Sequence, residues 1–204
     1  MSTEVIGVIV VVGISLLSIA TYLLVQGNRR KAIAAFAQEH GFTFYHSRTA
    51  EELGGLLSPV FSQTASGHNV VEGESDGVRF LVADVRRPTV NESVRREKAR
   101  LTTVAGIRFS GPRFTATPLP PHKQDRTAGT PEFNRDWTIT DSNDASVRAF
   151  FRKSVEHFCL AHPNLTLEST GTWLVLYRLK TKTPPEALGR LVQSVCELAK
   201  IVHR

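Results

Sequence analysis

Residues 5–25 read VIGVIVVVGISLLSIATYLLV, a run of 21 residues without a charge, preceded by Glu4 and followed by Gln26-Gly27-Asn28-Arg29-Arg30-Lys31. At about 1.5 Å of rise per residue, one helix of this length crosses a hydrocarbon core of roughly 30 Å. A cleaved secretory signal would want basic residues ahead of a shorter apolar stretch and a small-residue cleavage site, whereas here the leading charge is Glu4 and the basic cluster trails. A buried helix of a soluble protein seldom runs so far with no polar face. The stretch is therefore expected to be a membrane anchor, residues 1–27 with a short stub before it. Its flanks set the orientation: no Lys or Arg precedes it and three follow at once, which places residues 28–204 on the cytoplasmic side and the amino terminus outside. Gly7, Gly13, Ser15, Ser18 and Ala20 would permit close helix contact, but no G-x-x-x-G is present, so a lone helix in lipid is the plainer expectation.

The remaining 177 residues are one domain of ordinary size, able to bury a core without staples. They hold 25 basic and 18 acidic side chains, a formal charge of +7 that favours acidic neighbours: lipid headgroups, acidic proteins or nucleic acid. Such a number also describes an ordinary solvated surface. Two cysteines, Cys159 and Cys196, both inside helical patterns, make no disulfide framework and read as small apolar residues.

Taken in order, Asn28 to His40 continues as a helix with Ile33, Phe36, Ala37 and His40 at helical spacing and Gly41 as its stop. Phe42 to Tyr45 is a short aromatic strand. Thr49-Ala-Glu-Glu52 matches a capping box before Leu53, Leu56 and Leu57, a single short helix broken by Gly54-Gly55 and ended before Pro59. From Asn69 the period turns strand-like. Residues 69–72, a turn over Gly73 to Gly77, and Val78 to Val85 form a hairpin whose second arm is apolar on both faces, as a central strand requires. Further strands are expected over Arg100–Phe109, Arg113–Thr117 and Trp137–Thr140, with loops at Pro88–Lys98 and Pro118–Pro131. Ser142-Asn143-Asp144 offers caps for one helix carrying Val147, Phe150, Phe151, Ser154, Val155 and Phe158, stopped before Pro163. Leu165–Leu167 and Thr172–Arg178 pair as a second hairpin. Thr183-Pro-Pro-Glu186 is a further capping box, opening a helix with the stripe Leu188, Leu191, Val192, Val195, Ala199 and Val202. The expected fold class is α+β: an N-terminal transmembrane helix, then a mostly antiparallel sheet of about six or seven strands packed against two amphipathic helices.

This layout, with Arg29-Arg30-Lys31, the helix ending in Gly41-Phe42, Asn69-Val-Val-Glu-Gly73, Glu132-Phe133-Asn134 and Gly171-Thr-Trp-Leu-Val-Leu-Tyr177, resembles an uncharacterised family of bacterial single-pass membrane proteins. The resemblance covers nearly the whole chain and implies a protein of the bacterial inner membrane. It carries over no catalytic residue.

Candidates for chemistry are few. His157, Cys159 and His162 lie within six residues, but i and i+2 leave a helix on different sides, so a metal site is disfavoured against surface histidines and a buried thiol. Asp141-Ser-Asn143-Asp144 opens like a calcium loop yet has Ser146 and Arg152 where the glycine and glutamate belong, and reads as a helix cap. No G-x-S-x-G elbow and no phosphate-binding G-x-x-x-x-G-K-S/T is present. Glu72, Glu74 and Asp76 sit at a hairpin tip, where solvent keeps carboxylates ordinary. No cofactor or metal is expected.

Charge is what remains. Residues 79–113 carry nine basic side chains, of which Arg86, Arg87, Arg95, Arg96, Lys98 and Arg100 form a segment expected to touch an anionic surface, each adding about 1 kcal/mol beside an anionic leaflet. Nucleic acid would suit the same charge, but no binding motif or aromatic platform accompanies it. The expected function is non-catalytic binding or scaffolding at the cytoplasmic face of the membrane, with anionic lipid or an acidic protein as partner. The alternative is a membrane-tethered, hydrolase-like enzyme whose site is assembled from distant residues.

Overall fold

A computed structural model describes residues 3–54, 56, 66–87, 100–119, 133, 136–140, 143–178 and 181–203; the side chains of residues 3–11, 16, 86, 87, 100 and 101 fall outside that description. Helix α1, Thr3–Glu39, runs unbroken through the apolar stretch and on into the domain. It stops at Gly41, whose φ of 70° is left-handed. There the Phe42 amide donates to the Ala37 carbonyl (2.8 Å) and the Gly41 amide to that of Gln38 (3.2 Å), the paired bonds of a glycine C-cap. Among the described residues no helix is long and apolar enough to cross a membrane. The first seven residues of the apolar run, Val5 to Val11, and Leu16 are among those whose side chains are not described.

Eight strands follow: β1 Thr43–Arg48, β2 Gly67–Ser75, β3 Val78–Arg87, β4 Arg100–Arg108, β5 Arg113–Pro118, β6 Trp137–Ile139, β7 Thr166–Thr170 and β8 Trp173–Tyr177. They form one sheet in the order β1-β2-β3-β4-β8-β7-β5-β6, antiparallel at every pairing. The α+β class stands, with eight strands where six or seven were expected. The β7–β8 hairpin enters between β4 and β5, so the sheet's middle joins residues some seventy positions apart, as in Val104 opposite Tyr177. The turn of the first hairpin is tighter than the Gly73–Gly77 loop read from sequence. Only Asp76 and Gly77, at φ 53° and 76°, leave the strands, the two-residue geometry whose twist matches paired strands.

Both faces of β3 are buried, as its sequence requires. Phe80 and Val82 join one core and Leu81, Ala83 and Val85 the other. The first core lies under the helices: the second half of α1, with Ile33 and Ala37 buried; α2, Ala145–Phe150; α3, Lys153–Ala161; and α4, Leu188–Val202, entered through a 3-10 turn at Pro185–Ala187. In α4 the predicted stripe is buried from Leu188 to Ala199 and half-buried at Val202.

Three local readings are corrected. The single helix expected across residues 147–158 is two, broken at Phe151 (ψ 59°) and Arg152 (ψ 163°). The break lets neighbouring rings both pack on Phe114, Phe150 at 4.8 Å and Phe151 at 5.0 Å, which one straight helix would splay about 100° apart. The Thr49 capping box does form, Thr49 amide to Glu52 carboxylate (2.7 Å) and Glu52 amide to Thr49 hydroxyl (3.3 Å). It caps a turn and not a helix, because Gly54 at φ 56° reverses the chain. Leu53 and Leu56 then plug the second face of the sheet. The Thr183 box is not made, because the Thr183 amide donates to Thr103 Oγ1 (3.0 Å). Pro88–Lys98 and nearly all of Pro118–Pro131, read as loops, lie outside the described residues, as do Leu57 and Pro59.

Candidate functional site

Helix α1 is fixed to the sheet by a buried ion pair. Arg29, Ile33 and Ala37 recur every fourth residue and share one face, so when the two apolar residues turn into the core, Arg29 turns in with them. The Arg29 guanidinium grips Asp84 with Nε on Oδ2 (2.8 Å) and Nη2 on Oδ1 (2.7 Å), a bidentate pair in which the side chains are 10% and 2% exposed. Asp84 also accepts from Asn69 Nδ2 (3.0 Å) and from the Thr103 hydroxyl (2.7 Å). Asn69 reaches it from a bulge in β2, between His68 and Val71, with φ 49°; asparagine tolerates that left-handed backbone better than most residues. The third Arg29 nitrogen, Nη1, donates to the Thr183 carbonyl (2.8 Å), and the Thr183 amide donates to Thr103 Oγ1 (3.0 Å). Thr183 is thus drawn into the ion pair instead of capping the last helix.

Burial pushes the Asp84 carboxyl up, but Arg29, then Asn69 and Thr103, outweigh it and hold the acid below its ordinary range. A carboxylate engaged by this many donors has no lone pair left for proton transfer. Its work is to lock α1. Nearby Lys182, whose ammonium donates to Gln26 Oε1 (3.2 Å), is pulled down, mainly by burial and partly by Arg29, against the opposing pull of Asp84.

The lock fixes which end of the sheet lies toward the apolar half of α1. The Phe42 ring packs on Phe80 at 4.9 Å, and Arg29 meets Asp84 four residues further along β3, so helix and strand run in opposite directions. Going back from Arg29, Val25 lies about 6 Å up the helix. Going on from Asp84, Arg87 lies about 10 Å along the strand, in the same direction. Arg87 stands opposite Arg100 and Arg86 opposite Leu101, so three of the six candidate contact residues gather level with the last turn of the apolar run. Arg95, Arg96 and Lys98 lie outside the described residues. Arg178, just past β8, joins the same end, since Tyr177 is paired with Val104.

The other basic residues of the 79–113 stretch go elsewhere. Arg79 pairs with Glu74 (3.4 Å), Arg108 stacks on the Trp173 ring (4.3 Å), and Arg113 stands opposite Thr170, all at the far end of the sheet. What reads in sequence as one basic segment is split by strand direction between two ends. The hairpin carboxylates are likewise paired on the surface, Glu72 with Arg48 (3.1 Å) and Asp76 with Lys200 (2.8 Å).

The other chemical candidates do not converge. Cys159 points into the core, where burial, with Glu156 adding to it, pushes the thiol up to about 12, far from a reactive thiolate. His157 is exposed, and His162 faces Glu197 across α4 at 3.6 Å. Asp144 caps α2, its Oδ1 accepting from the Ser146 amide at 2.7 Å; Asp141 and Ser142 lie outside the described residues.

Neither a family model nor a curated protein matches the chain. Among solved structures it is similar to the crystal structure of the mycobacterial trehalose monomycolate transport factor A, TtfA, with a TM-score of 0.56 at 17% identity over 86% of this chain and 93% of that one. At this identity the likeness shows the fold alone. It extends through most of both chains.

Proposed function

We propose that the chain is a membrane-anchored, non-catalytic accessory protein of the bacterial inner membrane. Val5–Val25 spans the bilayer, and the α+β domain sits at the cytoplasmic face with its Arg86–Arg87–Arg100 end toward an anionic leaflet. One observation carries this reading: the basic end of β3 and β4 lies level with the last turn of the apolar run, on a helix locked to the sheet by Arg29 and Asp84. A flexible tether would leave the domain free to turn any face to the surface, whereas a rigid helix commits this one. Every described side chain from Val12 to Val25 is exposed, among them Ile14 at 62% and Leu17 at 69%, so among the described residues none covers this stretch of α1, and lipid would. That TtfA is named a transport factor fits an accessory role. The hydrolase alternative gains no support from Asp84, saturated with donors, or from Cys159, held as a thiol.

Two measurements test the placement. Alkaline carbonate should leave the full-length chain in the membrane pellet, and a phosphatase fused after Arg204 should be silent where a fluorescent protein is bright. Extraction by carbonate would remove the anchor. Strong phosphatase activity would reverse the sides.

A further inference from the structure

A cleft of about 510 Å³ lies between α4 and the turn joining α3 to β7, lined by Leu165, Leu191, Thr183, Arg178 and Arg190 among others. Its volume falls in the range of small-ligand sites. Leu165 and Leu191, 8% and 5% exposed, form an apolar floor. The charges around it do not cancel. Glu197, the one acid of the lining, stands 3.6 Å from His162 against two arginines, and neither Arg178 nor Arg190 has an ion-pair partner among the described residues. Both arginines are exposed. Two unpaired arginines over an apolar floor suit a phosphate carried on a hydrocarbon body, since a guanidinium fork matches phosphate oxygens.

Position narrows the source of that phosphate. Thr183, on the cleft wall, is the residue whose carbonyl accepts from Arg29, and Arg29 is about 6 Å along the helix from Val25, where the apolar run ends. If that run spans the bilayer, as proposed above, the near rim lies within the headgroup layer, which adds roughly 5–7 Å to each side of the hydrocarbon. The geometry points to a lipid site: the cleft takes the headgroup of an anionic phospholipid, with the phosphate between Arg178 and Arg190 and the glycerol and first methylenes on Leu165 and Leu191. This rests on the anchored reading and adds to it a defined ligand, one lipid in one cleft, distinct from the diffuse attraction of the strand-end arginines.

The test uses the full-length protein in a neutral maltoside detergent, supplied with phosphatidylglycerol, with retained lipid counted by native mass spectrometry. The wild type should keep one molecule. Arg178→Gln with Arg190→Gln should lower its affinity roughly a hundredfold, about tenfold for each charge-assisted contact. Ala161→Trp, which fills the cleft while leaving its charges, should give a comparable loss and guards against a double variant that folds poorly. Arg86→Gln with Arg87→Gln should retain the lipid. Inorganic phosphate in millimolar excess should not displace it; full displacement would make this a free-anion site and overturn the lipid assignment, as would equal retention by wild type and the arginine pair. Carbonate extraction of the same membranes judges the anchor separately. A chain that extracts but still holds one lipid would sink the anchor and keep the cleft.

Discussion

The two halves of helix α1 share one continuous backbone and little else. In the first, from Val12 to Val25, eight large apolar side chains are 50–69% exposed. In the second, Ile33 and Ala37 are 2% and 0% exposed, and Arg29 is held by Asp84. Leaving eight such side chains in water forgoes up to roughly 12–24 kcal/mol at 1.5–3 kcal/mol apiece, as large as or larger than the whole stability of a typical domain. The contrast teaches that one helix carries two kinds of surface, an uncovered apolar half and a half docked on the sheet. Its polar residues fall on every side of the chain only after Val25, and there a single stripe, Arg29-Ile33-Ala37, is chosen by the sheet.

The sharpest way to break the contrast is to place the same charge in each half. Ile33→Asp puts an unpaired carboxylate in the first core and should cost about 4 kcal/mol or more, unfolding the domain near ambient temperature. Leu17→Asp should leave the domain's melting point where it is and oppose membrane insertion by about 3 kcal/mol. Thermal melts and carbonate extraction read the two effects separately. If Leu17→Asp lowered the melt as far as Ile33→Asp, the first half would be packed against protein.

Next in size is the lock itself. Asp84→Asn leaves the Arg29 guanidinium buried without its counter-charge, an expected loss of about 3–5 kcal/mol. The pH dependence has a definite sign. Because the folded carboxyl titrates below its unfolded value of about 3.9, the pair's contribution is complete above that value and disappears as pH falls through the folded one. Denaturant melts from pH 6 down to pH 2 should therefore show a steeper acid loss for wild type than for Asp84→Asn. Parallel curves would mean that Asp84 is not ionised in the fold.

How far sequence reaches into this structure depends on the range of the interaction. Period and turn chemistry are local, and they found β3, the β7–β8 hairpin, the Gly41 stop and the α4 stripe close to where they stand. Failures came where a distant residue intervened. Thr183 has the right neighbours for a cap but is claimed by Arg29, 154 residues away, and by Thr103, 80 away. The helix across residues 145–161 keeps its period through Phe151, yet Arg152 turns aside to donate to the Ile201 carbonyl at 2.8 Å. The site shows the same limit. Asp84 as the one acid in the strand Val78 to Val85 was a legible anomaly, since a buried carboxylate demands a partner. Which of Arg29, Arg30 and Lys31 supplies it was also open to reading, because Arg29 alone is in step with Ile33 and Ala37. What no local pattern contains is that β4 lies between β3 and β8, the arrangement that brings Thr103 and Thr183 into contact and carries Arg178 to the basic end.

The smallest expected change in stability goes with the largest expected change in surface binding. Replacing Arg86, Arg87, Arg95 and Arg96 by Gln should leave the melting point where it is if these charges stand in solvent, since exposed charges contribute about 1 kcal/mol or less. If the basic end faces an anionic leaflet, residues 28–204, which keep Arg29 and the docked half of α1, should sediment with vesicles rich in phosphatidylglycerol and stay in solution with neutral ones. Binding should weaken as salt rises, because charges separated by more than a Debye length, about 8 Å at physiological ionic strength, are screened. At about 1 kcal/mol per basic group near the surface, four substitutions should lower the affinity by roughly a thousandfold at low salt. Arg79, Arg108 and Arg113 give the control, three charges against four, since strand direction puts them at the opposite end. Their replacement by Gln should change vesicle binding far less. Equal losses from the two sets would show that net charge alone attracts the domain, and that the locked helix does not choose the face it presents.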